Sequence, residues 1–186
     1  MELYIKNMVC DRCKMVVKSE LEKFGLHPIT VALGQVDIIE TLNKEKVTEL
    51  NEVLVRVGFE LIEDKKSRVI EKVKNLIIDL VCSKSNLLKI NLSESITTTI
   101  GQDYSYISSL FSQQESITIE HYYILQKIER VKELIVYNEL SLSEIAFQLH
   151  YSSTSHLSKQ FKKVTGVTPT DFKNIKGQKR MSIENL

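Results

Sequence analysis

Residues 140–173 read LSLSEIAFQLHYSSTSHLSKQFKKVTGVTPTDFK. Leu142, Ile145, Ala146 and Leu149 recur at spacings of three and four, which gives a short helix one apolar face. Ser141 or Ser143 can cap its start, and Ser141 with Glu144 has the S-x-x-E form of a capping box. After a polar break at Tyr151 and Ser152, Ser153 can cap a second helix with Leu157, Phe161 and Val164 facing inward. Gly166 stops that helix, and Pro169 prevents it from resuming. Two short helices joined by a tight turn make a helix-turn-helix unit. The outer face of the second carries Thr154, Ser155, Ser158, Lys159, Lys162 and Lys163, a set of hydrogen-bond donors and positive charge suited to a DNA groove.

These residues resemble the signature of the AraC/XylS transcription regulators. The matching elements are Leu142-Ser143-Glu144-Ile145-Ala146, Tyr151-Ser152-Ser153, Phe161-Lys162-Lys163, and Gly166 through Phe172 with Pro169 between them. The resemblance implies double-stranded DNA as partner. It names RNA polymerase and a second copy of the chain as further possible partners, since such regulators often activate transcription as dimers.

The rest of the chain fits that setting. At 186 residues it is long enough for two domains. No apolar run approaches the length of a membrane span and no basic-then-apolar leader opens the chain, so a cytoplasmic protein with no membrane partner is expected. Three cysteines, two at C-x-x-C spacing, do not form a disulfide framework in that compartment. The net charge of +1 hides an asymmetry: residues 1–64 hold 8 basic and 12 acidic residues, residues 65–186 hold 17 and 12. Residues 153–186 alone carry 7 basic and 2 acidic residues, so the part expected to meet a polyanion is the C-terminal one.

Residues 1–64 predict a small α+β domain of order β-α-β-β-α-β, the ferredoxin-like arrangement. Leu3-Tyr4-Ile5 is a strand, and a helix follows from about Asp11 to Phe24 with Met15, Val16, Leu21 and Phe24 available to its buried side. Residues 29–33 and 36–39 form a hairpin across Gly34-Gln35. A second helix uses Val47, Leu50, Val53, Leu54 and Val57, and Phe59–Ile62 is the last strand. Two cysteines three apart at a helix N-terminus converge on one point, where the helix dipole lowers their pKa. Soft sulfur donors favour Cu(I), with Zn(II) second because it needs recruited ligands. On this fold the loop resembles the heavy-metal-associated domain of copper chaperones and metal-transporting ATPases, through Met8, Cys10, Cys13, Val16-Val17 and Gly58-Phe59. The resemblance implies that Cys10 and Cys13 are the metal ligands and that Met8 packs beneath the loop. Asn7 stands where that family usually has glycine, and Val9 where it has threonine or serine.

Residues 65–81 predict a packed helical linker through Val69, Val73, Leu76, Ile77 and Leu80, with Cys82 buried or partly buried at its end. The DNA-binding domain then spans 82–186. Inside it a fainter helix-turn-helix pattern precedes the first one described. Leu92, Ile96 and Ile100 mark one helix, Gly101-Gln102 the turn, and Tyr106, Ile107, Leu110 and Phe111 the inner face of the next. A long helix from Ile119 to about Tyr137 joins the two units, with Tyr123, Ile124, Ile128, Val131, Leu134 and Ile135 as its core and residues 126–130 matching the family's linker motif.

The two units differ in charge. No lysine or arginine lies between Lys89 and Lys127, where Glu94, Asp103, Glu115 and Glu120 are acidic. Ser109 occupies the place where the family usually carries arginine, so bidentate reading of guanine is unavailable there. Candidate contacts of this unit are Tyr104, Ser105, Ser108, Ser109, Ser112 and Gln113. In the second unit Thr154, Ser155, His156, Ser158 and Lys159 are placed toward bases, with Gln160, Lys162 and Lys163 toward the backbone. His156 is equally readable as a packed residue beside Tyr151. The expected function is a sequence-specific DNA-binding regulator responsive to a soft metal. Two other readings stay open: a regulator whose first domain is a metal-independent dimerisation or ligand module, and a metal chaperone or redox protein with a protein-binding helical domain. No nucleophile–base pair, phosphate loop or organic-cofactor motif is visible, and His27, His121 and His150 have no catalytic spacing, so no enzyme is expected.

Overall fold

The computed structural model describes residues 1–82 and 91–178. Residues 83–90 and 179–186 of the expected 82–186 segment lie outside the described residues. The described residues group into two units, 1–78 with 92–110, and 79–82 and 91 with 111–178.

The first unit opens with β1 (Glu2–Lys6), α1 (Asp11–Lys23), β2 (Pro28–Ala32), β3 (Gln35–Ile38), α2 (Lys44–Arg56) and β4 (Glu60–Leu61). Four strands form one antiparallel sheet in the order β2-β3-β1-β4. Alternation sends Leu3 and Ile5 of β1 into a core with Val36, Ile38, Val17, Leu21, Leu50 and Leu54. Met8 is fully buried in that core, directly ahead of the thiol loop. The inward row of α1 is Cys13-Val17-Leu21 at four-residue spacing; of the expected residues Leu21 is buried and Phe24 packs against the core, whereas Met15 is 71% exposed and Val16 is also outward. The helix starts at Asp11 with Cys10 as its N-cap, and that phase sets which valine of the Val16-Val17 pair faces in. Val57 is likewise exposed, because α2 ends at Arg56 and Val57 is only its cap. The expected 59–62 strand shortens to a two-residue β4, although Ile62 N–H still donates to Tyr4 O at 2.8 Å.

Helix α3 (Lys65–Cys82) occupies the expected linker, but its buried face is turned by one residue. Ile70, Val73, Ile77, Ile78 and Val81 are buried, whereas Val69, Leu76 and Leu80 are half-buried. Two polar residues on the same side decide the phase. Glu71 and Asn75 are buried and bond to the first domain's backbone, at Asn7 N–H (3.1 Å) and Leu33 O (3.2 Å). Gly34 is required beside Asn75: its φ is +73°, and a Cβ there would lie 2.1 Å from the Asn75 amide nitrogen. Cys82, expected to be buried or partly buried, is exposed at the last position of α3.

Next come α4 (Leu92–Ile100) and α5 (Tyr104–Glu115). Ile96, Ile107, Leu110 and Phe111 are buried as expected, but Tyr106 is 49% exposed, since its neighbour Ile107 takes the inward position. The second unit continues with α6 (Ile119–Tyr137), α7 (Leu142–Gln148), α8 (Thr154–Thr165) and α9 (Pro169–Gln178). Helix α6 packs against α7, α8 and α9. Its core joins Ile128, Val131, Leu134 and Ile135 to Ile145, Ala146, Leu149, Tyr151, Leu157 and Phe161. Helix α9 was not expected from the sequence, where Pro169 read only as a stop. Proline is well suited to the first helical position, and Thr168 caps it by accepting from Asp171 N–H at 3.1 Å while donating to the Asp171 carboxylate at 2.6 Å. No helix among the described residues is long and apolar enough to cross a membrane.

Candidate nucleic-acid interface

The second helix-turn-helix is built by local capping. Ser141 Oγ accepts from Glu144 N–H at 3.3 Å, and Glu144 returns a carboxylate to Ser141 N–H at 2.7 Å, closing the capping box at the start of α7. The Ser141 hydroxyl, then its backbone N–H, hold the Glu144 carboxyl below its ordinary value. The turn is closed by Leu149 N–H to Ile145 O (3.0 Å), His150 N–H to Phe147 O (3.1 Å) and Tyr151 N–H to Ala146 O (2.9 Å). It passes through His150 at φ +53°, in the left-handed region.

Ser153 then caps α8 by accepting from His156 N–H at 3.1 Å. The amides of Thr154 and Ser155, at the first two helical positions, have no intrahelical acceptor and are the anion-facing end of the helix dipole. With Leu157 and Phe161 inward, α8 presents Ser155, His156, Lys159, Lys162 and Lys163 to solvent, and Thr154, Ser158 and Gln160 are half-buried at the margins. The two readings of His156 meet in one geometry. Its ring packs edge-on against Tyr151 at 5.5 Å and its Nδ1 lies 3.1 Å from Ser152 Oγ, yet the residue stays exposed. Phe172 stacks edge-on against Phe161 at 5.6 Å, so α9 braces the helix from behind.

The first helix-turn-helix carries a different surface. Ser105 and Ser109 of α5 are exposed, while Tyr104, Ser108 and Ser112 are half-buried. Asp103 caps this helix, accepting from Ser105 N–H at 2.8 Å and from Ser105 Oγ–H at 2.5 Å. That cap holds the Asp103 carboxyl below its usual range and places a negative charge at the end of α5 that would otherwise attract phosphate. It also engages the Ser105 hydroxyl.

The thiols are close together. Cys10 Sγ and Cys13 Sγ lie 3.3 Å apart, Cys10 exposed and Cys13 half-buried. The Cys13 backbone N–H, then its thiol, hold the Cys10 thiol below its ordinary value. Among the described residues no group of three or more histidine, cysteine or carboxylate side chains gathers to hold a metal. Asn7 adopts φ +71° just ahead of the loop, and its side chain donates to Gly58 O at 3.1 Å.

Sequence reasoning missed one cluster. Lys127, on the apolar stripe of α6, is buried, with its ammonium 3.9 Å from the Tyr151 ring centroid and 5.5 Å from that of Tyr123. A lysine on a charged helix reads as solvated; the available signal was Tyr123 four residues before it, on the same face.

Comparison with known proteins adds three findings. Residues 96–175 match a family model described as a helix-turn-helix domain. The chain is 25% identical over 134 residues to the probable transcriptional regulator LumQ of Photobacterium leiognathi, covering 72% of this chain and 52% of that protein. This chain thus spans about half the length of that relative. Among solved structures it resembles the C-terminal domain of AraT, a response regulator from Geobacillus stearothermophilus, with a TM-score of 0.50 at 23% identity, over 60% of this chain and 88% of that one. It also resembles a DNA-binding transcriptional dual regulator from Escherichia coli K-12, with a TM-score of 0.50 at 18% identity, over 59% of this chain and 93% of that one. At these identities the structural matches show the fold alone.

Proposed function

We propose that this chain is an AraC-type, sequence-specific DNA-binding transcription regulator in which α8 supplies most of the grip, on the premise of the helix-turn-helix family match over residues 96–175. The observation that carries the proposal is the outer face of α8. An exposed row of Ser155, His156, Lys159, Lys162 and Lys163 follows a capped N-terminus, whereas α5 has serines behind an acidic cap. Phosphate contacts from lysine supply affinity and register, and base contacts from the first turns supply sequence reading. Fluorescence anisotropy of the full chain on duplexes from its own promoter region tests the reading. A salt-dependent complex that weakens with Lys162→Ala and loses sequence preference with Lys159→Ala is the expected result. A chain that binds none of these duplexes above background overturns it, and favours a chaperone whose helices contact protein.

We also read residues 1–64 as a ferredoxin-like sensor of a soft metal, Cu(I) before Zn(II), bound by Cys10 and Cys13. The support is two sulfurs 3.3 Å apart at a helix N-terminus, with no third donor gathered beside them among the described residues. Two soft donors suit a two-coordinate ion better than tetrahedral zinc. The loop is tied to α3 by the bond from Asn7 N–H to Glu71, which gives an ion at the loop a route to that helix. Titrating the full chain with Cu(I) against a competing chelator should give one site per chain, lost in Cys10→Ser and Cys13→Ser. Unchanged uptake in both variants leaves a metal-independent module.

A further inference from the structure

Lys127 is 8% exposed on α6, and the contacts its ammonium makes among the described residues are to ring faces, not carboxylates. Burying a cation without an anion is costly, and burial pushes this ammonium down to about 8. Methionine would fill the same space at lower cost, so the charge itself calls for a reason. The ring against which it rests supplies one. Tyr151 stands in the turn before α8, and its hydroxyl donates to Gln160 Oε1 at 2.7 Å. Burial, reinforced by Tyr123, pushes the Tyr151 phenol up to about 12, so it stays an O–H donor at neutral pH. With its carbonyl held inward, Gln160 has only its amide N–H groups to offer outward, one helical turn from Lys163.

We propose that Lys127 is a positioning residue for DNA binding: seated on the Tyr151 ring, it fixes that ring beneath α8 and so commits Gln160 to present its amide donors to a DNA phosphate. The inference rests on α8 being the groove helix. The groups facing Lys127 are consistent with a role played through the ring. Helix α6 contributes Tyr123, the turn contributes Tyr151, and α8 contributes His156, edge-on to the Tyr151 ring. Among the described residues, four carboxylates on α6, α7 and α9 are engaged elsewhere: Glu129 with Lys132, Glu133 with Arg130, Glu144 with Ser141 and Asp171 with Thr168. A cation over the ring also draws electron density from the phenol, which strengthens the hydroxyl as a donor to Gln160.

The test uses the full chain and a mixed-sequence duplex, because a phosphate contact is independent of sequence. Lys127→Met should weaken binding about three- to tenfold, the worth of one hydrogen bond, with the salt dependence unchanged because Gln160 is neutral. Tyr151→Phe and Gln160→Ala should lose as much, and each double variant no more than either single one. Lys127→Arg, which keeps the charge, should bind like the wild type. A shallower salt slope in Lys127→Met would make Lys127 a phosphate ligand itself, and wild-type affinity would make it a space filler; either result overturns the proposal. The Gln160 side-chain amide resonance reads the same arrangement without DNA. It should move in Lys127→Met and Tyr151→Phe, and in the wild type it should titrate with a midpoint near the Lys127 value of about 8. A resonance that moves in a chain that never binds DNA overturns the DNA-binding reading alone, whereas an unmoved one overturns the positioning role whatever the DNA result.

Discussion

The backbone N–H of Asn7 donates to a carboxylate oxygen of Glu71 at 3.1 Å, across 64 residues of sequence. Asn7 closes the strand that leads into the thiol loop, and Glu71 lies on the buried face of α3. The bond therefore ties the loop that carries Cys10 and Cys13 to the helix that follows the first domain.

Glu71→Ala removes the acceptor and leaves a partly buried amide unpaired, which should cost about 1–3 kcal/mol. Glu71→Gln keeps an acceptor oxygen and should cost less. Urea unfolding of the full chain checks both, and equal losses would mean that the carboxylate charge, not the hydrogen bond, matters there.

Lys127→Met should stabilise the fold while weakening DNA binding. The ordinary lysine value is 10.5 and the buried one about 8, so at neutral pH both folded and unfolded chains hold the proton and the full burial cost is present. Between those two values the unfolded chain binds a proton that the folded chain has lost, so stability rises with pH across that window. The two ring faces offset part of the cost, so the net gain from methionine is about 1 kcal/mol. Thermal midpoints from pH 7 to pH 10.5 should show the wild type catching up with the variant as pH rises.

His150→Gly should stabilise the turn by about 0.5–1 kcal/mol, the left-handed penalty of a side chain less the added freedom of glycine when unfolded. His150 is exposed at φ +53° and only its backbone closes the turn, so nothing else is lost. A destabilised variant in chemical unfolding would show that the imidazole has a role beyond occupying that φ.

Asp103→Asn should tighten non-specific DNA binding while keeping the α5 cap, since the amide oxygen can still accept from Ser105 N–H. Lys159→Ala in the other unit should cost about 1–3 kcal/mol on the preferred sequence if Lys159 reads a base. Anisotropy in a salt series checks both. Equal losses from matched substitutions at Ser109 and Lys159 would remove the asymmetry between the units.

Much of this molecule was legible in its sequence because it is decided by local chemistry. The capping box of Ser141 and Glu144, the Ser153 cap, the Gly166 stop and the apolar spacing of α7 and α8 each involve residues within four positions of one another. They would hold in almost any globular surrounding. The same is true of the C-x-x-C loop, whose two sulfurs must converge once a helix begins at Asp11. What the tertiary structure alone decided is the phase of helices with apolar residues on more than one side. Val17 faces inward in place of Val16, and α3 turns so that Ile70, Ile78 and Val81 are buried. Glu71, Asn75 and Lys127 were illegible for a further reason. A polar side chain enters a protein interior only when its partner is there, and the partners of these three are Asn7, Leu33 and Tyr151, residues that folding brings near and the chain keeps far apart.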